Sequence, residues 1–262
     1  MGAATSVNAG DATPPTPGPG PAFYAEPWFL RRARLRQWWT VLHPPYTMLH
    51  LSLVTIGAGL RGPVNAGYLA ATLLAFFLAL GVGAHSLDEL RGRPLRTTIP
   101  STHLIGAAVM SLGFAIALGI AGMVLVSPYL ALFIVIGTVT AVGYNLELWN
   151  GRLHNRTVLV LGWGGFPVLT AYYAQHSSLS VGSFLAAGFG VLVTLLQQQL
   201  STPARTLRRR VARVEGVLVH LDGTTSPLTT AALLVPLESG LWTLCWTGVA
   251  MALALMSVRF IR

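Results

Sequence analysis

Seven stretches of about twenty mostly apolar residues, at about 44–60, 66–88, 103–123, 127–147, 157–175, 181–200 and 238–258, leave this chain few folds to choose from. A helix needs roughly 20 apolar residues to cross a bilayer core. Inside that core every backbone group must be bonded within the protein, which favours helices. Composition agrees: 53% of the 262 residues are hydrophobic and 10% charged, where a soluble domain carries about 25% charged residues. The mean hydropathy is +0.62. The expected fold is all-α, a polytopic membrane bundle of seven to eight transmembrane helices. The count turns on 226–238, "SPLTTAALLVPLE", which is too short to span and contains Pro236. It reads as a re-entrant or interfacial helix, or as the approach to the last span.

Two regions lie outside this pattern. Residues 1–25 are rich in Pro, Gly, Ala and Thr and read as a disordered tail, leaving 26–262 as the membrane domain. Next, "EPWFLRRARLRQWWTVLH" mixes four Arg with Trp and Phe, as in a helix lying at a membrane interface. A nucleic-acid arm is disfavoured there, because the following segment enters lipid. Between the sixth span and the last, "VARVEGVLVHLDGTTSPLT" alternates apolar residues around Glu215-Gly216 and Asp222-Gly223. That pattern predicts a small hairpin cap, whose His220 and Asp222 are candidates to reach a site.

Charge sets an expected orientation. All 17 basic residues are Arg, against 8 acids. The N-terminal segment, the loop at Arg91, Arg93 and Arg96, the loop at Arg152 and Arg156, and the run from Arg205 to Arg213 hold most of them. Positive charge marks cytoplasmic loops, so these four segments and the N-terminus are expected on the cytoplasmic side. Arg259 and Arg262 then fall outside with seven spans and inside with eight. Nearly every ionisable group lies on one face and the midplane is poor in charge. A transporter needs polar groups at mid-depth, so a site open to the charged face is the better expectation. The single Cys245 has no partner for a disulfide.

The sharpest local feature is "HSLDELRGRPLRTTIPS", 85–101, at the end of the second span. His85, Asp88 and Glu89 share a helix face by their three- and four-residue spacing. An acid pair beside arginines suits a Mg²⁺-bound diphosphate, since Mg²⁺ takes one or two carboxylates plus phosphate oxygens and Arg grips phosphate bidentately. Simple neutralisation of Arg91 and Arg93 at the interface accounts for the same residues equally well. A transition-metal site from His85, Asp88, Glu89 and His154 is the weaker option, with no paired-ligand spacing to reinforce it.

These residues carry a family resemblance. From about His43 to Arg210 the chain resembles the UbiA superfamily of intramembrane prenyltransferases. "AHSLDELRGRPLRTTIPS" sits where that family has N-D-x-x-D, x-x-x-D and then an R-P-x-P-S-G-like turn. "LHPPYT" is similar to its Pro-containing first helix, and "VLVLGWGGFPVLTAYYA" to its Gly-rich fifth. Gly162, Gly164 and Gly165 would also allow close helix packing in any bundle. The resemblance implies a lipid-tail tunnel, an isoprenyl diphosphate at the cytoplasmic mouth, an unidentified acceptor, and Mg²⁺ on Asp88 and Glu89. It makes Arg93, Arg96, Arg205 and Arg208 candidates for the diphosphate, Gln198 and Ser201 candidates to contact phosphate or water, and Tyr144, Asn145 and Glu147 candidates to line the mouth. The family's second Asp motif is replaced by "TLLQQQLSTPARTLRRR", without a carboxylate, and its usual nine helices are not all present. The competing expectation is a non-catalytic protein that binds isoprenoid or anionic membrane lipid.

Overall fold

The computed structural model describes residues 20–25 and 27–260. Among them eight helices and one hairpin form the fold. A short helix α1 (Ala33–Leu42) precedes α2 (Pro44–Gly59), α3 (Ala66–Leu90), α4 (Ser101–Leu125), α5 (Leu130–Asn145), α6 (Arg156–His176), α7 (Val181–Arg210) and α8 (Thr230–Phe260). Each of the seven expected apolar stretches is helical. Five of these helices, α3, α4, α6, α7 and α8, are long and apolar enough to cross a membrane. The other two, α2 and α5, have 16 residues each. The stretch 226–238 makes no separate element, since its residues from Thr230 onward are continuous with α8. The tail expected over 1–25 lies outside the described residues up to 19. Residues 20–25 belong to the folded part, with Tyr24 and Ala25 buried.

Successive helices run back and forth between two ends of the bundle. At one end Arg91, just after α3, pairs with Glu147, just after α5, and Arg208 of α7 pairs with Glu238 of α8. At the other end Arg259 of α8 donates to the carbonyls of Gly59 (3.0 Å) and Leu60 (2.9 Å), which end α2. Arg259 therefore has a structural reason to sit away from the other arginines: it satisfies carbonyls that a helix end leaves bare.

The bundle is built inside out relative to a soluble protein. Helix α7 buries Ser183, Ala187, Gly190, Thr194, Gln197, Ser201 and Ala204, a stripe of small and polar residues spaced three and four apart. Its large residues Phe184, Leu185 and Leu192 face outward. Helices α4 and α5 do the same with Val109, Phe114, Leu132 and Val135. Such surfaces belong in hydrocarbon, where small residues let helices approach. The glycines expected to permit close packing do so: a methyl group on Gly164 of α6 would collide with the backbone of Gly190 of α7.

Two helices carry wide π turns, at Phe77–Ala84 in α3 and Leu161–Gly165 in α6. Such turns break the helical register. The first immediately precedes His85 and Asp88, and the second holds Trp163. The expected hairpin forms from β1 (Val217–Val219) and β2 (Thr225–Pro227), antiparallel, with Val219 opposite Thr225. Its turn is closed by Asp222, whose carboxylate accepts from the Thr224 amide (2.9 Å) and hydroxyl (2.7 Å), and by Gly223 at φ 82°.

Candidate functional site

A polar cluster, here called the mouth, gathers at the arginine-rich end of the bundle. It draws on the starts of α2, the ends of α3, α5 and α7, and the segment 20–25. The joint between α1 and α2 is His43, held in a left-handed conformation at φ 47° and followed by Pro44 and Pro45. Proline suits the first helical position because its missing N–H costs nothing there. The joint turns the His43 ring inward against His85 (ring centroids 4.4 Å apart) and Tyr46 (5.8 Å). The Tyr24 hydroxyl bonds His43 Nδ1, and the segment is held by Arg209 Nε to the Pro21 carbonyl (3.2 Å) and Arg208 to the Gly20 carbonyl (3.1 Å).

Asp88 lies in this mouth, half-buried, within reach of the charges of Arg205, Arg209 and His154. Among the described residues its carboxylate has no hydrogen-bond or ion-pair partner. Tyr144 lies near Asp88 and Arg205. Its ring stacks on His154 (4.4 Å) and packs on Trp163 (4.8 Å). Burial, then the neighbouring His85, Arg209 and Arg205, holds the His43 imidazole well below its usual pKa. Burial and Tyr46 hold the Tyr24 phenol well above its own, against the pull of Arg209 and Arg205.

Several expected site residues are engaged elsewhere. Glu89 is fully buried and turned away from the mouth. Its Oε1 accepts from the Thr97 amide (2.9 Å) and hydroxyl (2.7 Å), and its Oε2 from the Leu95 amide (2.9 Å). It is the post around which the α3–α4 loop folds. Consecutive helical residues point about 100° apart, so Asp88 and Glu89 part company. Arg93 donates to the Ile99 carbonyl (2.6 Å) and Ser101 hydroxyl (2.7 Å) of the same loop, and Arg96 to the Arg209 carbonyl (3.0 Å). Arg208 makes a two-pronged pair with Glu238, one contact 2.8 Å long. Asn145 and Ser201 are buried and bond carbonyls of their own helices, those of Ala141 (2.7 Å) and Gln198 (3.5 Å). Gln197, rather than Gln198, is buried, on the side of Tyr46. His220 and Asp222 sit on the exposed hairpin and bond within it.

The expected Mg²⁺ on Asp88 and Glu89 therefore does not fit: three hydrogen bonds already occupy both oxygens of one of its two ligands. Among the described residues no three His, Cys, Asp or Glu side chains come together as a metal site. Residues that sequence reasoning passed over are Tyr24, His43, Tyr46, Gln197 and Arg209. For Gln197 a signal existed, since it continues the stripe of Gly190, Thr194 and Ser201. Tyr24 had none, being set in a Pro/Gly tail.

Below the mouth, an apolar groove of about 210 Å³ runs between α3, α4, α5 and α6. Leu80, Ala141 and Trp163 line its near end, and Tyr68, Leu125 and Val126 its far end. From Tyr68 to Leu80 helix α3 advances about 18 Å at 1.5 Å per residue. No charged side chain lines the groove, and two of its four threonines, Thr72 and Thr170, spend their hydroxyls on their own helices.

The neutral, buried His43 predicts acid sensitivity. Its folded pKa is depressed, so the folded state binds fewer protons than the unfolded one. Its contribution is fully present above the unfolded value of about 6.5 and is lost as pH falls below that, at up to about 1.4 kcal/mol per pH unit. Thermal unfolding in detergent between pH 7.5 and 5 should show a falling Tm that His43→Gln flattens by one proton's worth. An unchanged slope would remove His43 as a cause.

No known family profile, characterised protein or solved structure matches the chain.

Proposed function

We propose that this protein is a divergent UbiA-like prenyltransferase whose mouth takes the diphosphate of an isoprenyl diphosphate and whose groove takes the isoprenyl chain. The observation that carries the reading is the meeting of an apolar groove and a polar cluster. An apolar groove ends at Trp163, and Trp163 packs on Tyr144, which stands beside Asp88 and Arg205. An amphiphile with a polyanionic head and a branched apolar tail matches both. The motif resemblance at 84–101 points the same way.

In this reading all seven apolar helices, α2 to α8, cross the bilayer, the 16-residue α2 and α5 included, with the mouth cytoplasmic by the positive-inside rule. The C–O bond between the allylic carbon and the diphosphate breaks, and the electron pair leaves with the diphosphate. Arg205 and Arg209 stabilise the charge that builds on the departing oxygen. Tyr144 and Trp163 present ring faces to the allylic cation at the neck of the groove. An acceptor nucleophile then captures the cation and gives up a proton.

A second reading, a non-catalytic isoprenoid- or anionic-lipid-binding protein, is favoured by one observation: Glu89 has become structural. One assay separates the two. Purified protein is incubated with isoprenyl diphosphates of several lengths and candidate acceptors, with and without Mg²⁺, and pyrophosphate is measured. Release above the lipid blank, lost in Arg205→Gln, supports the transferase. Tight binding without release across all donors and acceptors would sink it in favour of the binding protein.

A further inference from the structure

We infer that the mouth binds a diphosphate on the guanidinium groups of Arg205 and Arg209 and needs no divalent cation to do so. This rests on the reading of the mouth as a diphosphate site and goes beyond it, because it names what neutralises the charge.

Glu89 is committed to the Leu95 and Thr97 donors, Glu238 to Arg208 and Glu147 to Arg91. Among the described residues that leaves Asp88 as the carboxylate facing the mouth. Arg205 and Arg209 stand one helical turn apart on α7, a spacing that puts both on one face. Both act on Asp88 and on His43. Two fixed positive charges against one negative leave the mouth cationic before any ligand arrives. Such a site repels a divalent cation and draws a polyanion. Guanidinium forks also match phosphate oxygens in shape.

The partners of these arginines leave room for a ligand. Among the described residues the Arg205 guanidinium meets only the Thr202 hydroxyl of its own helix, at 3.3 Å. Arg209 gives Nε to the Pro21 carbonyl and keeps its terminal amino groups.

An independent sign of a missing oxygen comes from His43, which is 8% exposed. In the tautomer where the Tyr24 O–H donates to Nδ1, the ring proton lies on Nε2. That atom is buried and has no partner. A buried donor without an acceptor calls for an explanation. A phosphate oxygen held by Arg205 and Arg209 would be that acceptor, with the Tyr46 hydroxyl and Gln197 beside it.

Calorimetric titration of the full chain in detergent, with inorganic pyrophosphate and separately with farnesyl diphosphate, in EDTA and in Mg²⁺, tests this. Pyrophosphate should bind in EDTA with a Kd within threefold of that in Mg²⁺, and weaken steeply with added salt. Arg205→Gln and Arg209→Gln should each weaken it tenfold or more, while Asp88→Asn binds at least as tightly. Arg205 is exposed, so its variant separates lost binding from lost folding, with thermal unfolding as the control. Binding only in Mg²⁺, abolished by Asp88→Asn, would overturn the inference and leave the prenyltransferase reading standing. If pyrophosphate binds in EDTA and farnesyl diphosphate binds no tighter, the isoprenyl reading falls and the anion site stands. No binding of either under any condition removes both.

Discussion

Glu89→Ala should destabilise the protein by about 3 kcal/mol or more, while Asp88→Asn, one residue away, leaves its stability almost unchanged. The difference follows from the hydrogen bonds each carboxylate makes. Removing Glu89 strands the buried amide of Leu95 and the part-buried amide and hydroxyl of Thr97. A buried donor left unpaired costs about 1–3 kcal/mol, and three are affected, with some recovery as the loop relaxes toward water. Glu89→Gln keeps the shape and one acceptor oxygen and should cost less. The loop also carries Arg93 and Arg96, both at positive φ, so losing its post should loosen 91–100 as a unit. Thermal unfolding in detergent reads the stability, and amide exchange at Leu95 and Thr97 reads the loop. Equal effects at Asp88 and Glu89 would mean that Glu89 is not the loop's anchor.

The second large effect is expected at the crossing of α6 and α7. Gly164→Val should destabilise at or above the roughly 1–3 kcal/mol typical of overpacking. The obstacle is the Gly190 carbonyl and its own backbone rather than a side chain that could swing aside. The helices would have to separate along the face where α7 buries its small residues, and that face ends at the mouth. Gly188→Ala, on the exposed face of α7, is the control. Its new methyl group meets nothing within 4 Å, so it should be neutral or stabilising by up to about 1 kcal/mol, as for any exposed helical glycine. Comparable loss from both variants would place the cost in helix propensity and not in the crossing.

Much of the architecture was legible in the sequence because bilayer physics acts on local composition. A run of about twenty apolar residues has one low-energy solution in hydrocarbon, and the seven runs became helices, although α7 runs on to Arg210 and α8 starts already at Thr230. The hairpin was legible for a similar reason: Asp222-Gly223 closes its own turn with bonds two residues apart. The span count was less so, because 226–238 looked like a broken piece, whereas α8 starts at Thr230 and runs on through Pro236, inside the helix, at the loss of one backbone hydrogen bond.

The candidate site was legible as a region and not as a set of residues. Charge alone placed it at one end of the bundle, among Asp88, Arg205 and Tyr144. Sequence could not say that Asp88 faces the mouth and Glu89 the loop, that Arg209 and Gln197 turn inward while Arg208 takes Glu238, or that Tyr24 folds back on His43. Each choice separates neighbours of like chemistry by a rotation of about 100°, or joins residues far apart in the chain. The sequence by itself determined the solvent, the helices and the polarity of the two ends, because these follow from local hydrophobicity and charge. The packing of α2, α3, α5 and α7 alone decided which acid is free and which arginines meet it, because buried polar groups take whichever partner the tertiary fold brings within reach.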